Sequence, residues 1–318
     1  MSDVAAVVDD LREESGELDA LVGALDEEAW RGATPAEGWT VAHQIAHLAW
    51  TDEVALLAAT EPERFGDEVA KALAAPDAFV DEAAGALVAA HAPRALLARW
   101  REGRRRLDTV LREAPAGTRI PWYGPPMSVA SMATARLMET WAHGQDVADA
   151  LGVTRTPTAR LRHVARIGVR ARNYAYAVRG IEAPAEEFRV ELRSPGGEMI
   201  AYGPEGAAQR VTGPLLDFCL LVTQRAHRSD LAVTAEGSEA DRWLSIAQAF
   251  AGPPGPGRPP RAGQAGKTEQ AVRDDQAART EQTAGAEQAA RTKQAARTEQ
   301  AAHADQAARD EQAARGDR

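Results

Sequence analysis

Cysteine is all but missing from this chain of 318 residues: Cys219 stands alone. One thiol can form neither an internal disulfide nor a thiolate-rich zinc or iron–sulfur cluster, so a reducing cytosol is the expected compartment. Long apolar runs are missing too. No segment approaches the roughly eighteen apolar residues of a membrane span, and the N-terminus MSDVAAVVDDLREESGELDA carries acids where a secretory signal carries basic residues. Positive charge is in deficit, with 37 basic side chains against 47 acidic for a net −10, which argues against nonspecific binding to nucleic-acid phosphates. These absences leave a cytoplasmic protein whose expected partner is a small molecule, not a nucleic acid or a membrane.

Aromatic residues, 16 in all, are unevenly spread: none follows Phe250. Residues 261–318 hold ten basic and ten acidic side chains, so the excess negative charge belongs to residues 1–260. From Gln264 to Gln312 a glutamine recurs every six residues, the fullest unit being QAARTE. Six residues turn an α-helix through about 600°, equivalent to about 240°, so successive units never build one apolar stripe and coiled-coil packing is disfavoured. The expectation is a fluctuating helix or a disordered tail, set off by the stretch AGPPGPGRPPRAG. Repeat expansion without a specific partner is preferred to a role as spacer or interaction arm.

Three regions follow from the patterning: 1–153, 155–250 and the tail 251–318. The first reads as an antiparallel four-helix bundle. Its helices are Val4 to Leu25, a second from an N-cap at Thr40 to about Ala59, a long third from about Asp81 to Glu113, and a fourth from a cap at Ser128 to Ala150 with Gly152 closing it. The second region reads as a small α+β unit. A helix over about 159–178 precedes a hairpin in EFRVELRSPGGEMIAYG, then come a helix over about 214–227, a short strand in DLAVTAEG and a helix over 238–250. The fold class is mainly α, with a low-complexity C-terminal tail.

Helix two carries His43 and His47 in AHQIAHLAW, about 40° apart on one stripe with Trp50, Val54 and Leu57. Two histidines four apart are more often core residues than ligands. Helix four adds METWAHGQD, which sets Glu139, His143 and Asp146 in a sector of about 60° beside small alanines. Carboxylates facing a bundle interior need a cation or hydrogen-bonding partners. Imidazoles and a carboxylate on facing helices suit a divalent metal, and three protein ligands leave a position open. A charge network joining Glu139 to an arginine such as Arg136 is an equal alternative on these residues alone.

GWTVAHQIAHLAW, followed about ninety residues later by ETWAHGQDVADALG, resembles the metal-binding domain of mycothiol-dependent maleylpyruvate isomerases, a branch of the DinB-like four-helix-bundle superfamily. The likeness spans residues 1 to about 250, and its specific part is these two motifs. In that family a histidine of the second helix and a glutamate and histidine four apart in the last helix hold zinc. By motif these are His47, Glu139 and His143, with His47 preferred to His43 because it stands in AHL. Asp146 belongs to the last-helix pattern as a residue that orients an imidazole, and His43 is a further supporting residue. The whole sequence is most similar to an uncharacterised actinobacterial-type metal-binding branch. Its second half is also similar to a wyosine-base-formation domain of tRNA modification, but an acidic domain without cysteines for a radical cluster is a poor fit to that chemistry.

The resemblance implies a divalent cation, zinc first among candidates that include Ni²⁺, Fe²⁺ and Mn²⁺, and a low-molecular-weight thiol such as mycothiol as co-substrate. A cation lowers a thiol's pKa, so a thiolate can attack an electrophilic carbon near neutral pH. The expected activity is thiol-dependent transfer or isomerisation of a small electrophile bearing a carboxylate. Arg225, near the end of LVTQRAHR, is the residue chosen to meet that carboxylate, against the simpler reading of a cation at a helix C-terminus. Trp39, Trp50 and Tyr123 are candidates for the pocket wall. Cys219, inside LLDFCLLV, is expected in the core and not as a nucleophile. The rival is a non-catalytic metal-binding or ligand-sensing module, which a fourth protein ligand such as His43 would favour.

Overall fold

Apolar residues at helical spacing decide where this chain coils, and the buried faces they create decide how the coils pack. A computed structural model describes residues 4–76, 78–252, 255 and 257–261. α1 (Val4–Val22) buries Val7, Val8, Leu11, Leu18 and Val22 along one stripe. A short α2 (Glu27–Trp30) is capped by Asp26 and leads through a loop to α3 (Val41–Thr60), which is buried on most of its circumference. α4 (Pro62–Ala74), α5 (Phe79–Ala90) and α6 (Pro93–Glu113) follow, then a two-stranded ribbon of β1 (Arg119–Ile120) and β2 (Met127–Ser128). α7 (Val129–Ala150) starts where the Ser128 hydroxyl accepts from the Ser131 N–H, and ends where Gly152 turns to φ 67° and Val153 N–H bonds the Ala148 carbonyl.

The bundle consists of α1, α3, α6 and α7. Around it α1 packs on α7, α7 on α3, α3 on α6 and α6 on α1. One guanidinium joins all four. Arg104 on α6 donates to Asp52 of α3 at 2.9 and 2.6 Å, to Thr140 of α7 at 3.0 Å and to Ser15 of α1.

Beyond the bundle, α8 (Leu161–Arg170) and α9 (Arg172–Ala177) lead to a sheet. Its strands are β3 (Phe188–Arg193), β4 (Met199–Tyr202), β5 (Gln209–Pro214) and β6 (Thr234–Glu236), in the order β4-β3-β5-β6. The β3–β5 pair is parallel and the other two are antiparallel. α10 (Leu215–Val222) and α11 (Ser238–Ile246) pack with it, and Phe188, Val190, Leu192, Val211, Phe218 and Trp243 share one core with Leu137 and Trp141 of α7. The acidic side of α1 binds the connecting segment: Glu14, 1% exposed, accepts from Arg155 and Arg160, and Asp10 accepts from His163. Accordingly Met1–Pro259 form one unit and Pro260–Arg318 another, of which only Pro260 and Arg261 are described. Among the described residues no helix is long and apolar enough to cross a membrane.

Several expected elements differ. The long third helix is two, because Pro93 lacks an N–H and starts α6 after an extended His91–Ala92. The supposedly variable stretch around Pro62–Ala75 contains α4, again with proline in its first turn. The 159–178 helix breaks at Ala171 into α8 and α9, and the helix of LLDFCLLV stops at Val222, ahead of Gln224 in the left-handed region at φ 59°. The strand β5, over Gln209–Pro214, is an element the sequence pattern did not mark. The last helix ends at Ile246. The repeat expected to fluctuate lies outside the described residues.

Candidate metal centre

α3 and α7 face each other along the bundle, and that packing sets His47 against Glu139 and His143. Glu139 and His143 are one turn apart on α7, as their spacing of four requires. The Oε2 atom of Glu139 lies 3.3 Å from Nε2 of His47 and 3.3 Å from Nε2 of His143. One ligand atom from each residue falls within 4.8 Å of the others, and the two imidazole centroids are 4.3 Å apart. Both rings are buried.

A directed hydrogen-bond chain states which nitrogen of His143 is free. The Thr34 hydroxyl donates to the Trp39 carbonyl at 2.9 Å, so it can only accept from the Gln44 amide nitrogen, at 2.9 Å. Gln44 therefore turns its carbonyl to Nδ1 of His143 at 2.5 Å. An amide oxygen only accepts, so the His143 proton sits on Nδ1 and Nε2 offers a lone pair to Glu139. His47 has no such fixing partner; its Nδ1 is buried and unbonded.

Burial alone pushes the Glu139 carboxyl up, but the His143 and His47 contacts and the Arg136 charge outweigh it and hold the group well below the usual carboxylate range. His143 is pushed down to about 4 by burial and by the neighbouring His47, against the pull of Glu139. At neutral pH a carboxylate and an unprotonated imidazole nitrogen thus stand lone pair to lone pair, an arrangement that a cation among the three groups relieves. The two separations from Glu139 match one: ligands about 2.0–2.1 Å from a tetrahedral zinc stand about 3.3 Å from each other.

The other expected residues divide. Trp39 lies 5.5 Å from His47 and 5.9 Å from His143 between ring centroids, and Trp50 lies 5.9 Å from His47. Phe79, which the sequence reading did not single out, continues this wall at 5.1 Å from Trp50 and 5.8 Å from Tyr123. Trp39 is tied to α5 by its Nε1–H bond to Asp81 at 2.8 Å. His43 is not part of the ligand group. Its Nδ1 takes the Thr40 backbone N–H at 3.3 Å and lies 2.8 Å from the Thr40 hydroxyl, so it serves the start of α3.

Asp146, expected to orient an imidazole, instead binds two arginines. Arg225 donates to its Oδ2 at 2.9 Å, and Arg258 donates to its Oδ1 and to the Pro35 carbonyl. Gln44 takes the role assigned to Asp146. A polar residue one turn before His47 on a helix with so much buried surface was the available signal. Arg225 stands near the ligands, close enough for its charge to help push His143 down, but its guanidinium is already paired. Cys219 is fully buried with its thiol pushed well up by desolvation, a core residue as expected.

A helical bundle that brings two imidazoles and a carboxylate together, with no fourth ligand in the group among the described residues, defines a class: a bundle protein with a three-residue candidate metal site. Residues 11–148 match the family described as mycothiol maleylpyruvate isomerase N-terminal domain. Residues 184–236 match the family described as wyosine base formation. An uncharacterized protein found in two strains of Mycobacterium tuberculosis is 57% identical over 258 residues, which is 81% of this chain and 100% of that protein. The crystal structure of the mycothiol-dependent maleylpyruvate isomerase is similar with a TM-score of 0.48 at 18% identity, over 73% of this chain and 92% of that one.

Proposed function

We propose that the protein is an enzyme that uses a divalent metal, zinc first, and a low-molecular-weight thiol of the mycothiol type to isomerise or transfer to a small electrophile. The observation that carries this reading is the convergence of His47, Glu139 and His143 without a fourth protein ligand, His43 being engaged by Thr40. When bound there, a divalent cation lowers the pKa of a coordinated thiol so that thiolate is available near pH 7.

The chain's own residues do the rest. Gln44 keeps the proton of His143 on Nδ1 and the lone pair on Nε2. Trp39, Trp50, Phe79 and Tyr123 line an aromatic wall that excludes water and offers ring faces to an organic substrate. Cys219 takes no part, because a buried thiol with a raised pKa is neither ionised nor reachable. The family's isomerase name supports an isomerisation, and a thiol added to and later expelled from a carbon–carbon double bond is the simplest such use. The second reading, a non-catalytic metal-binding or ligand-sensing module, has one observation on its side: Arg225, the cation expected to meet a substrate, is already engaged in an ion pair with Asp146.

Purified protein is expected to hold about one divalent ion per chain by elemental analysis, and His47→Ala and Glu139→Ala to lose it while keeping helical content. Absence of metal in gently purified wild type would remove the site reading. A turnover screen with mycothiol and small electrophiles then separates the two functions, since a sensor binds without turnover.

A further inference from the structure

Among the described residues, the buried arginines come with carboxylates, except one. Arg104, Arg136 and Arg160 are each 8% exposed or less. Arg104 pairs with Asp52, and Arg160 pairs with Glu13, Glu14 and Glu17. Arg136, at 4%, has Nε and Nη1 buried without any hydrogen-bond partner, and among the described residues no carboxylate lies within ion-pairing reach of it. Its guanidinium carbon lies 5.2 Å from the Trp122 ring centroid, a cation–π contact that satisfies none of its N–H groups. A buried unpaired charge is costly, and a structural role does not require one.

A second orphan sits in the same cluster. The Tyr123 hydroxyl is buried and unbonded, its ring 5.2 Å from that of Trp122. Burial and the Glu68 charge push the Tyr123 pKa up while the Arg136 charge pulls it down, so the hydroxyl keeps its proton and Tyr123 and Arg136 feel each other. The Arg136 Nε–H and Nη1–H groups and the Tyr123 hydroxyl are thus buried donors without an acceptor.

Position gives the pair its meaning. Arg136 is one turn before Glu139 on α7, and its charge helps to hold that carboxylate ionised. From His47 the rings of Trp50, Phe79 and Tyr123 follow one another at 5.9, 5.1 and 5.8 Å, so an aromatic wall runs from the three candidate ligands to the two orphan donors. We propose that Arg136 and Tyr123 form the oxyanion subsite of this protein, taking the carboxylate of an organic substrate whose carbon skeleton lies along that wall. Arg225, the choice from sequence, shares Asp146 with Arg258, whereas Arg136 has no carboxylate partner among the described residues. Only the placing of the reactive carbon near His47, Glu139 and His143 rests on the metal reading; the anion site itself needs no metal.

The test uses full-length protein, stripped with EDTA and then reloaded with zinc, titrated calorimetrically with benzoate and separately with inorganic phosphate. Benzoate is expected to bind the metal-free protein, at least tenfold more weakly to Arg136→Met and severalfold more weakly to Tyr123→Phe. Arg136→Met is expected to melt no lower than wild type when no anion is present, because it removes an unpaired buried charge, whereas loss of a structural arginine would lower melting. Equal benzoate binding by wild type and Arg136→Met, or none by folded wild type, overturns the proposal. Phosphate binding that depends on Arg136 without benzoate binding overturns the carboxylate assignment. If Arg136→Met does not fold, Tyr123→Phe decides, and unchanged benzoate affinity in that variant counts against the site. Failure of the metal reading shows differently: the stripped protein takes up no zinc on reloading, while its benzoate binding is unchanged.

Discussion

Replacing Gln44 by leucine removes the acceptor that meets His143 and the amide that donates to Thr34, with almost no change of volume, and it tests what the hydrogen-bond chain contributes to the centre. Gln44 is fully buried and accepts from Nδ1 of His143 at 2.5 Å. Without it that N–H stays buried and unbonded, a penalty of about 1–3 kcal/mol in the metal-free protein. The ring also loses what fixes its tautomer, so part of the population carries the proton on Nε2, where an ion would be held. Outer partners of metal-bound histidines typically change affinity about 10- to 100-fold, equivalent to about 1.4–2.7 kcal/mol. The assay is competition between the stripped protein and a chromophoric zinc chelator, with circular dichroism confirming the fold. Thr34→Val should act in the same direction more weakly, because the Gln44 amide loses the hydroxyl that dictates its orientation. Wild-type zinc affinity in a folded Gln44→Leu protein would refute the reasoning.

Two further expectations concern stability. Arg104→Met leaves Asp52, 0% exposed, as an unpaired buried charge and is expected to cost roughly 3–5 kcal/mol in urea unfolding; adding Asp52→Leu should recover much of that, and a cost under about 1 kcal/mol for the single change would contradict the four-helix role of Arg104. In metal-free protein the folded-state pKa of His143 is down at about 4 against an unfolded value near 6.5, so between these values the unfolded chain binds more protons. The His143 contribution is thus fully present above about pH 6.5 and lost as pH falls toward 4, on the order of 3 kcal/mol, and the slope of stability against pH should flatten by about that amount in His143→Asn; an unchanged slope counts against the assignment.

What the chain revealed before its structure was local. Helical spacing, the caps at Thr40 and Ser128 and the closing Gly152 placed α3 and α7, and spacing of four placed Glu139 and His143 on one face. Pro93 and Pro62 were readable as helix starts, yet the apolar rhythm running through them suggested one long helix and one loop. The parallel β3–β5 pair has no short-range signature, since its register depends on packing and not on a turn. Asp146 shows the same limit in the site: it shares a helix face with His143, and nothing local says that arginines 79 and 112 residues further on will take both its oxygens. The alternative to a metal site, a charge network from Glu139 to Arg136, does not form: Glu139 turns its Oε2 to the two imidazoles and no ion pair joins it to that guanidinium.

The contacts that build the centre are all remote in the chain: 92 residues separate His47 from Glu139, and 99 separate Gln44 from His143. Closing a loop of that length costs about 2 kcal/mol more chain entropy than closing one of about fifteen residues, the span typical of a small metal-nucleated domain. In the unfolded chain an ion therefore meets little beyond the Glu139–His143 pair, and it can be gripped only after α3 and α7 already lie side by side. Such an ion is a late arrival in folding: it retards the opening of the finished bundle and has no part in starting it.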